Sequence, residues 1–289
     1  MTTTPSSRSS SSDAAEMFLR DFHNNGPGRQ SVNTERAPLA DGRTSYQVLA
    51  AEVAGARRVL DLGCADGALL EVLAAAGAEE LAGIDLADQE LALARMRPAL
   101  TCADLRQGRA QELPFADNSF DAVVSHMALM LMHDVDRIAA EAARVLAPGG
   151  RLAVAVGGGA VDGQAMSLFL TLARPYFKAA SPERSMPRLG DGRARSREGL
   201  DELFGPAGFA PVSWDTVVID MGGTPEQVWD STTEAFYDMG VLDPEQTASL
   251  RAEFLAAAPA LLDTDGRIPS GMRLNIATTR LLPTHHGAN

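Results

Sequence analysis

A short glycine turn flanked by carboxylates is the stretch of this chain whose residue types could do chemistry. Asp61 precedes the turn, Gly63 and Gly67 bracket it, and Asp66 lies inside it. Glycine permits backbone angles that other residues avoid, and it lets a ligand approach the main chain closely. Asp85 follows about 20 residues beyond the turn, a spacing at which an acidic side chain can accept both hydroxyl groups of a ribose.

The flanking sequence predicts the elements that would hold those side chains in place. Val59, Leu60 and Leu62 form an apolar run that is typical of a buried parallel strand. Apolar residues then recur at helical spacing over residues 68–73, and Gly77 ends the predicted helix. A second strand is predicted over residues 81–85. A strand that leads through a glycine turn to a helix N-terminus is a common cofactor site of doubly wound α/β folds.

The turn suits a positively charged cofactor better than a dinucleotide. It lacks the middle glycine of the G-x-G-x-x-G pattern, and its carboxylates would repel a pyrophosphate. Asp61 and Asp66 would suit the ammonium and sulfonium groups of S-adenosylmethionine (SAM). The segment resembles the first motif of the class I SAM-dependent methyltransferases, usually D-x-G-x-G-x-G, with Ala65 in the place of the middle glycine. Over residues 58–157 the chain is similar to UbiE-like small-molecule methyltransferases.

The resemblance implies an α/β fold with a Rossmann-like, doubly wound sheet of seven strands. The implied strand order is 3-2-1-4-5-7-6, with strand 7 antiparallel. We expect a disordered tail at 1–12, N-terminal helices that cover the cofactor at 13–56, and a SAM-binding core at 57–221 and 271–283. Residues 222–270 are an insertion where the minimal family fold has a hairpin. Two helix starts within it, each with a cap, a proline and a glutamine, predict a helical lid.

The resemblance also implies which residues contact the cofactor. Asp85 would bind the ribose, while the backbone of Ala110 and the amide of Gln111 would read the adenine edge. Related enzymes often place an aspartate beside the adenine where this chain has Arg109. The expected cofactor contacts are Asp61, Gly63, Ala65, Gly67, Asp85, Leu86, Ala110, Gln111, Ser125 and Tyr46.

The sequence indicates the residues that would contact the methyl acceptor less specifically than those that would contact the cofactor. Methyl transfer needs a base only when the acceptor must lose a proton, and histidine titrates near neutral pH. The candidate bases are His126, His133 and His23. The candidate substrate contacts are Phe22, Met127, Met130, Trp229, Phe236 and Tyr237, for each of which ordinary packing is the alternative. The arginine-rich segment 184–197 could hold a substrate carboxylate or phosphate, or be a solvated loop.

Composition limits the partners and the compartment. The chain has 289 residues and a net charge of −13, which argues against nucleic acid as the main partner. Its two cysteines favour a reducing compartment, and no histidine shows a recognised metal-ligand spacing, so no metal is expected. Neither a membrane-spanning run nor a signal peptide is recognised, so we expect a cytoplasmic monomer or homodimer.

The sequence therefore predicts a SAM-dependent methyltransferase. The acceptor would be the oxygen, nitrogen or carbon of a small molecule, such as a biosynthetic or secondary-metabolite intermediate. Two alternatives stay open: an NAD(P)-dependent reductase on a similar sheet, and a SAM-binding protein with other chemistry. A protein or RNA methyltransferase is a third, and the acidic charge disfavours RNA.

Overall fold

Seven strands form one sheet in a computed structural model that describes residues 8–283. They are β1 (Arg58–Leu62), β2 (Glu80–Asp85), β3 (Asp104–Gln107), β4 (Phe120–His126), β5 (Leu146–Ala160), β6 (Ser213–Asp220) and β7 (Gly271–Arg280). Their order is β3-β2-β1-β4-β5-β7-β6, and β7 runs antiparallel to both of its neighbours. The other neighbouring strands pair in parallel. The predicted fold class, strand order and antiparallel strand are confirmed.

Ten α-helices of the described residues surround the sheet. They are α1 (Arg8–Asn24), α2 (Arg29–Arg36), α3 (Ser45–Glu52), α4 (Ala68–Ala75), α5 (Asp88–Met96), α6 (Val135–Val145), α7 (Ala165–Ala179), α8 (Arg197–Phe204), α9 (Pro225–Ala235) and α10 (Pro244–Ala257). Helix α1 includes residues 8–12, where the sequence predicted a disordered tail; residues 1–7 lie outside the described part of the chain. The sequence did not predict α2.

Both faces of the sheet are buried, as the apolar run of β1 predicted. Alternate residues of a strand point to opposite faces, so Leu60 and Leu62 join one core cluster and Val59 joins the other. Helices α6 and α8 cover the first face, while α3, α4 and α5 cover the second. Burying a leucine side chain contributes roughly 2 kcal/mol, so this double coverage holds the strand ends in place.

The lid has its own small core. Helices α9 and α10 begin with capping boxes at Thr224 and Asp243, as their sequences predicted. The Trp229 ring lies 5.9 Å from Phe169 of α7 and 5.7 Å from Phe254 of α10, measured between ring centroids. The lid therefore packs on the helix that follows β5. No helix within residues 8–283 combines the length and the apolar character needed to cross a bilayer.

Candidate functional site

A cavity of about 860 Å³ lies at the carboxyl ends of the central strands, where the strand order reverses between β1 and β4. Such a switch point is where open α/β sheets bind ligands. The walls come from the turn after β1, the ends of β2, β4 and β5, helices α2, α3 and α7, the segment 185–195, and the lid. A side pocket of about 80 Å³ shares Gly63, Asp85 and His23 with this cavity.

The turn after β1 needs both of its glycines. Gly63 and Gly67 have φ angles of +75° and +80°. A Cβ atom on Gly63 would lie 2.5 Å from the Cβ of Ala128, and one on Gly67 would lie 2.5 Å from Leu100. Ala65, in the place of the middle glycine, also has a positive φ, +45°. The left-handed conformation is unfavourable for an L-residue by roughly 1–2 kcal/mol, so Ala65 adds a small backbone strain to the turn.

Asp85 ends β2 with both carboxylate oxygens held by the main chain. One oxygen accepts the N–H of Ala65 at 2.8 Å, and the other accepts the N–H of Ala87 at 2.8 Å. Burial raises the pKa of Asp85, and these two hydrogen bonds oppose the rise. Each carboxylate oxygen can accept a second hydrogen bond, and the residue lines both pockets. The carboxylate is therefore placed to accept two ligand hydroxyls.

Asp61 is the least satisfied polar group of the turn. It is 2% exposed, and its Oδ1 atom has no hydrogen-bond partner among the residues that the structure describes. Burial, and then the charge of Asp85, raise the pKa of Asp61 well above its usual value. A buried oxygen without a partner costs roughly 1–3 kcal/mol. A cation or hydrogen-bond donor of a ligand in the adjoining cavity would pair with this oxygen and offset that free energy.

Asp66, which the sequence grouped with Asp61, has a structural role. Its Oδ2 accepts the Arg97 guanidinium at 2.5 Å and the Ser31 hydroxyl at 2.6 Å. The first contact neutralises the carboxylate, and the second ties the turn to α2. Only one of the two predicted carboxylates is therefore left for a ligand cation.

The side pocket is lined by three further residues that the sequence predicted as cofactor contacts. Leu86, Ala110 and Gln111 contribute to its walls. The Gln111 amide already donates to the carbonyl oxygen of His133 at 2.7 Å. Arg109 pairs with Glu16 of α1 at 2.6 Å, and Glu16 also lines the pocket. Helix α1 is thus held across this pocket.

At the end of β4 the cavity wall is formed by a histidine and a tyrosine. The rings of His126 and Tyr46 lie 4.5 Å apart, and the Ser45 hydroxyl oxygen is 2.8 Å from His126 Nε2. Burial lowers the pKa of His126 to about 4 and raises that of Tyr46 well above its usual value. His126 is therefore neutral at neutral pH and a weak base.

Burial of His126 predicts that the protein loses stability as the pH falls. An unfolded histidine binds a proton below pH ~6.5, while the folded one stays neutral to about pH 4. The free energy of unfolding should therefore decrease between those values, by no more than about 3 kcal/mol. The loss should be smaller than this limit because the ring keeps some exposed surface.

Urea titrations of the wild type and of His126→Gln, at several pH values, would measure this decrease. Every other titrating group is common to the two proteins and cancels in the difference. Parallel curves for the two proteins would contradict the prediction.

A second histidine joins α1 to the lid. His23 Nδ1 lies 3.2 Å from the buried carboxylate of Glu90, and its Nε2 lies 3.1 Å from the Tyr237 hydroxyl. Phe22 packs on the Tyr237 ring at a centroid distance of 4.6 Å. His23 and Tyr237 line the main cavity. The contact closes the cavity beside Asp85.

Five predicted site residues do not line either pocket formed by the described residues. Ser125 is fully buried and donates its hydroxyl to the Leu62 carbonyl. Gly67 is covered by Leu100. The other three are Phe22, which packs on Tyr237; Trp229, which lies in the lid core; and His133, which bonds the Arg188 carbonyl at 3.0 Å.

The spacing of Trp229, Phe236 and Tyr237, at i, i+7 and i+8, predicts that they share one face of a helix. Trp229, Phe236 and Tyr237 do not share a helix face, because α9 ends at Ala235 and Phe236 takes an extended conformation. Phe236 and Tyr237 line the cavity. The predicted contacts Met127 and Met130 line it as well.

Several lining residues were missed from the sequence. Helix α2 contributes Gln30, Asn33 and Thr34, and α9 contributes Thr232. Asn33 Nδ2 and Thr232 Oγ1 are buried and, within residues 8–283, have no hydrogen-bond partner. The glycine before a polar eight-residue stretch could have indicated α2, but nothing local indicated which side would face a cavity. No group of three or more His, Cys, Asp or Glu side chains in the described range is placed to hold a metal ion.

Comparison with known proteins shows that part of the chain is similar to methyltransferases. Residues 60–154 match the family described as a methyltransferase domain. The malonyl-[acyl-carrier protein] O-methyltransferase of Methylococcus capsulatus is 41% identical over 98 residues, which are 33% of this chain and 36% of that protein. The match thus spans about a third of the curated relative's length. The resemblance to methyltransferases is confirmed for this part of the chain.

Two solved structures share the fold over most of the chain. Phosphoethanolamine N-methyltransferase 2 of Haemonchus contortus, in complex with S-adenosyl-L-methionine, has a TM-score of 0.52 and 16% identity, and the match covers 92% of this chain and 60% of that one. The [4+2]-cyclase SpnF has a TM-score of 0.52 and 21% identity, with 94% of each chain covered. One fold is thus found both in a protein named as a methyltransferase and in one named as a cyclase, so it does not by itself determine the reaction.

Proposed function

We propose that this chain, which carries a methyltransferase domain, is a SAM-dependent methyltransferase that acts on a small-molecule acceptor. The observation that carries the proposal is the pair of carboxylates around the glycine turn. Asp61 presents a buried oxygen without a partner in the described structure, and Asp85 presents two oxygens held by backbone N–H groups. The names of the relatives support methyl transfer, and the cavity volume of about 860 Å³ supports a small-molecule acceptor.

The residues present fit the proposed cofactor. Asp61 would hold the ammonium group, Asp85 the ribose hydroxyls, and Leu86 and Ala110 the adenine. Gly63 lines both pockets, and because a Cβ there would lie 2.5 Å from the Cβ of Ala128, only glycine lets the turn approach the residues after β4 this closely. When bound, SAM supplies a methyl group on a positively charged sulfur.

The work left to the protein is alignment and exclusion of water. The contact between His23 and Tyr237 and the lid residues Phe236 and Val241 close the cavity from one side. His126, Ser45 and Tyr46 form the wall at the end of β4, where we place the acceptor. Because its pKa is low, His126 is suited to hydrogen bonding with the methyl acceptor. It is less suited to removing a proton from a weakly acidic methyl acceptor.

Two measurements test this function and separate it from its alternatives. Isothermal calorimetry would compare SAM and S-adenosylhomocysteine with NADH and NADPH. We expect the first two to bind and the nicotinamide nucleotides not to bind. Mass spectrometry of candidate acceptors incubated with SAM would then detect a methylated product with S-adenosylhomocysteine. Binding without any such product would favour a SAM-binding protein with other chemistry.

Asp61 gives cofactor binding a defined pH dependence. Its raised pKa means that a fraction of the carboxyl is protonated in the free protein, and a ligand ammonium favours the ionised form. Affinity for S-adenosylhomocysteine should therefore rise with pH up to the raised pKa, and binding should release protons. Asp61→Asn should remove this dependence and weaken binding by roughly tenfold.

Calorimetry in two buffers of different ionisation enthalpy would count the protons released. Asp85 and His23 also face the cavity, so the comparison with Asp61→Asn isolates the contribution of Asp61. Asp66→Asn is the matched control, because Arg97 already holds that carboxylate. A wild-type affinity that does not change with pH would refute the role given to Asp61.

A further inference from the structure

The arginine-rich segment separates into arginines that stabilise the fold and arginines that face the cavity. Arg193 forms ion pairs with Asp136 at 2.6 Å and with Asp191 at 2.8 Å. Arg188 and Arg195 line the main cavity instead. In the described part of the chain, neither has a carboxylate within ion-pair distance. Both side chains are exposed, so their guanidinium groups can reach a ligand in the cavity.

The backbone of this segment is held against the end of β4. Gly190 has a φ of +69°, and a Cβ there would lie 2.0 Å from the carbonyl oxygen of Met130. Arg195 donates to that same carbonyl at 3.2 Å. The carbonyl of Arg188 lies 3.0 Å from the ring of His133. Arg195 also donates from Nη1 to the Met130 sulfur at 3.7 Å, and its remaining N–H groups are available to a ligand.

Outside the polar side chains of α2 and Thr232, much of the remaining wall is apolar and adaptable. Six of the chain's 11 methionines line the cavity: Met127, Met130, Met166, Met186, Met221 and Met272. Methionine has an unbranched, polarizable side chain that adjusts to irregular apolar surfaces. Leu170, Phe177 and Phe236 extend this wall. This part of the wall suits the apolar body of a small-molecule ligand.

The carboxylates and the arginines of the cavity wall belong to different segments of the chain. Asp61 and Asp85 lie at the glycine turn, while Arg188 and Arg195 lie at the segment that follows α7. Asp238 of the lid also lines the cavity, and among the described contacts it forms no ion pair with either arginine. Charge of this sign favours a cationic ligand at the turn and an anionic one near the arginines.

We propose that the acceptor is an apolar molecule with one anionic oxyacid group, bound by its apolar body on the methionine wall and by its anion at Arg188 and Arg195. Identifying this ligand as the methyl acceptor rests on the proposed function. The binding itself can be measured without methyl transfer. Carboxylates and phosphates share the planar or tetrahedral oxygen pattern that arginine pairs with most strongly. The arginines therefore select the charge of the acceptor, and the methionines select its apolar bulk.

Isothermal calorimetry on the full chain, saturated with S-adenosylhomocysteine, tests the proposal with four probes of one chain length: decanoate, decyl phosphate, decanol and decyltrimethylammonium. We expect at least one of the two anions to bind about tenfold more tightly than decanol. The cation should bind more weakly than decanol, and acetate, which lacks the apolar body, should bind more weakly than decanoate. The better of the two anions identifies the headgroup as carboxylate or phosphate.

Arginine variants locate the binding. Arg195→Gln and Arg188→Gln should each weaken the binding of the preferred anion about tenfold and leave decanol and S-adenosylhomocysteine unchanged. Arg197→Gln is the matched control, because Arg197 is exposed like Arg188 and Arg195 and belongs to the same segment, but lies outside the described cavity lining. Equal affinity for anion, alcohol and cation would overturn the proposal, and this measurement does not depend on whether a variant folds. An equal loss in Arg197→Gln would also overturn it.

The result is distinguishable from a failure of the proposed function. If S-adenosylhomocysteine binds and the anions show no preference, the acceptor class is wrong and the methyltransferase proposal stands. If S-adenosylhomocysteine does not bind while the anions do, the cofactor assignment fails and the anion site stands.

Discussion

Asp85→Ala is expected to abolish measurable binding of SAM and S-adenosylhomocysteine. The carboxylate is fixed by the backbone N–H groups of Ala65 and Ala87, and each oxygen can still accept a ligand hydroxyl. Two hydrogen bonds to a charged group contribute roughly 3–6 kcal/mol together, which corresponds to a loss of about 10² to 10⁴ in affinity. Calorimetry with S-adenosylhomocysteine measures this loss directly, and circular dichroism verifies that the variant is folded.

Two further variants separate binding from structure. Asp85→Asn keeps the size and one acceptor oxygen, so it should lose less affinity than alanine. Asp88→Ala removes the same charge from an exposed position three residues away and should have little effect. An Asp85→Ala protein that is folded and binds S-adenosylhomocysteine as the wild type does would contradict the proposed cofactor site.

Gly63→Ala should cause the second large effect, on stability and on cofactor binding together. The new alanine would have to adopt the left-handed backbone conformation, and its Cβ would lie 2.5 Å from the Cβ of Ala128. The backbone strain and the overpacking should lower the free energy of unfolding by roughly 2–5 kcal/mol. The turn and the end of β4 would move apart, which should also weaken the binding of S-adenosylhomocysteine. Urea titration followed by circular dichroism measures the first effect, and calorimetry measures the second.

Gly42→Ala provides the matched control. Gly42 has a similar φ of +83°, and no heavy atom of the described residues lies within 4 Å of the added Cβ. This variant should therefore show only the backbone strain, roughly 1–2 kcal/mol, and should bind S-adenosylhomocysteine normally. Equal destabilisation of the two variants would show that the close approach of Ala128 is not what requires glycine at position 63.

The local structures that the sequence predicted and the structure contains are formed by residues close together in the chain. The glycine turn and Asp85 belong to one β-α-β unit, so their spacing alone brings them to the same edge of the sheet. The capping boxes at Thr224 and Asp243 depend on residues three apart, and both are present as predicted. Local rules of this kind do not need the rest of the fold.

Other predicted site residues make contacts with distant segments that the sequence did not reveal. Asp66 was assigned to the ligand because its partners, Arg97 and Ser31, are not its neighbours in sequence. Trp229 was placed in the substrate wall, but Phe169 and Phe254 enclose it in the lid core. Ser125 was placed beside the cofactor, but its hydroxyl binds the carbonyl of Leu62 on the neighbouring strand.

The sequence by itself determined the class of fold, the glycine turn and the acidic residue at the end of the second strand, because each depends on periodicity and short-range spacing. Only the tertiary structure decided which carboxylate lacks a partner, which arginines face the cavity, and that α2 forms part of its wall. Those outcomes depend on which side of each element is packed against a distant one. Ion pairing and burial, which set the charge available to a ligand, exist only after the chain has folded.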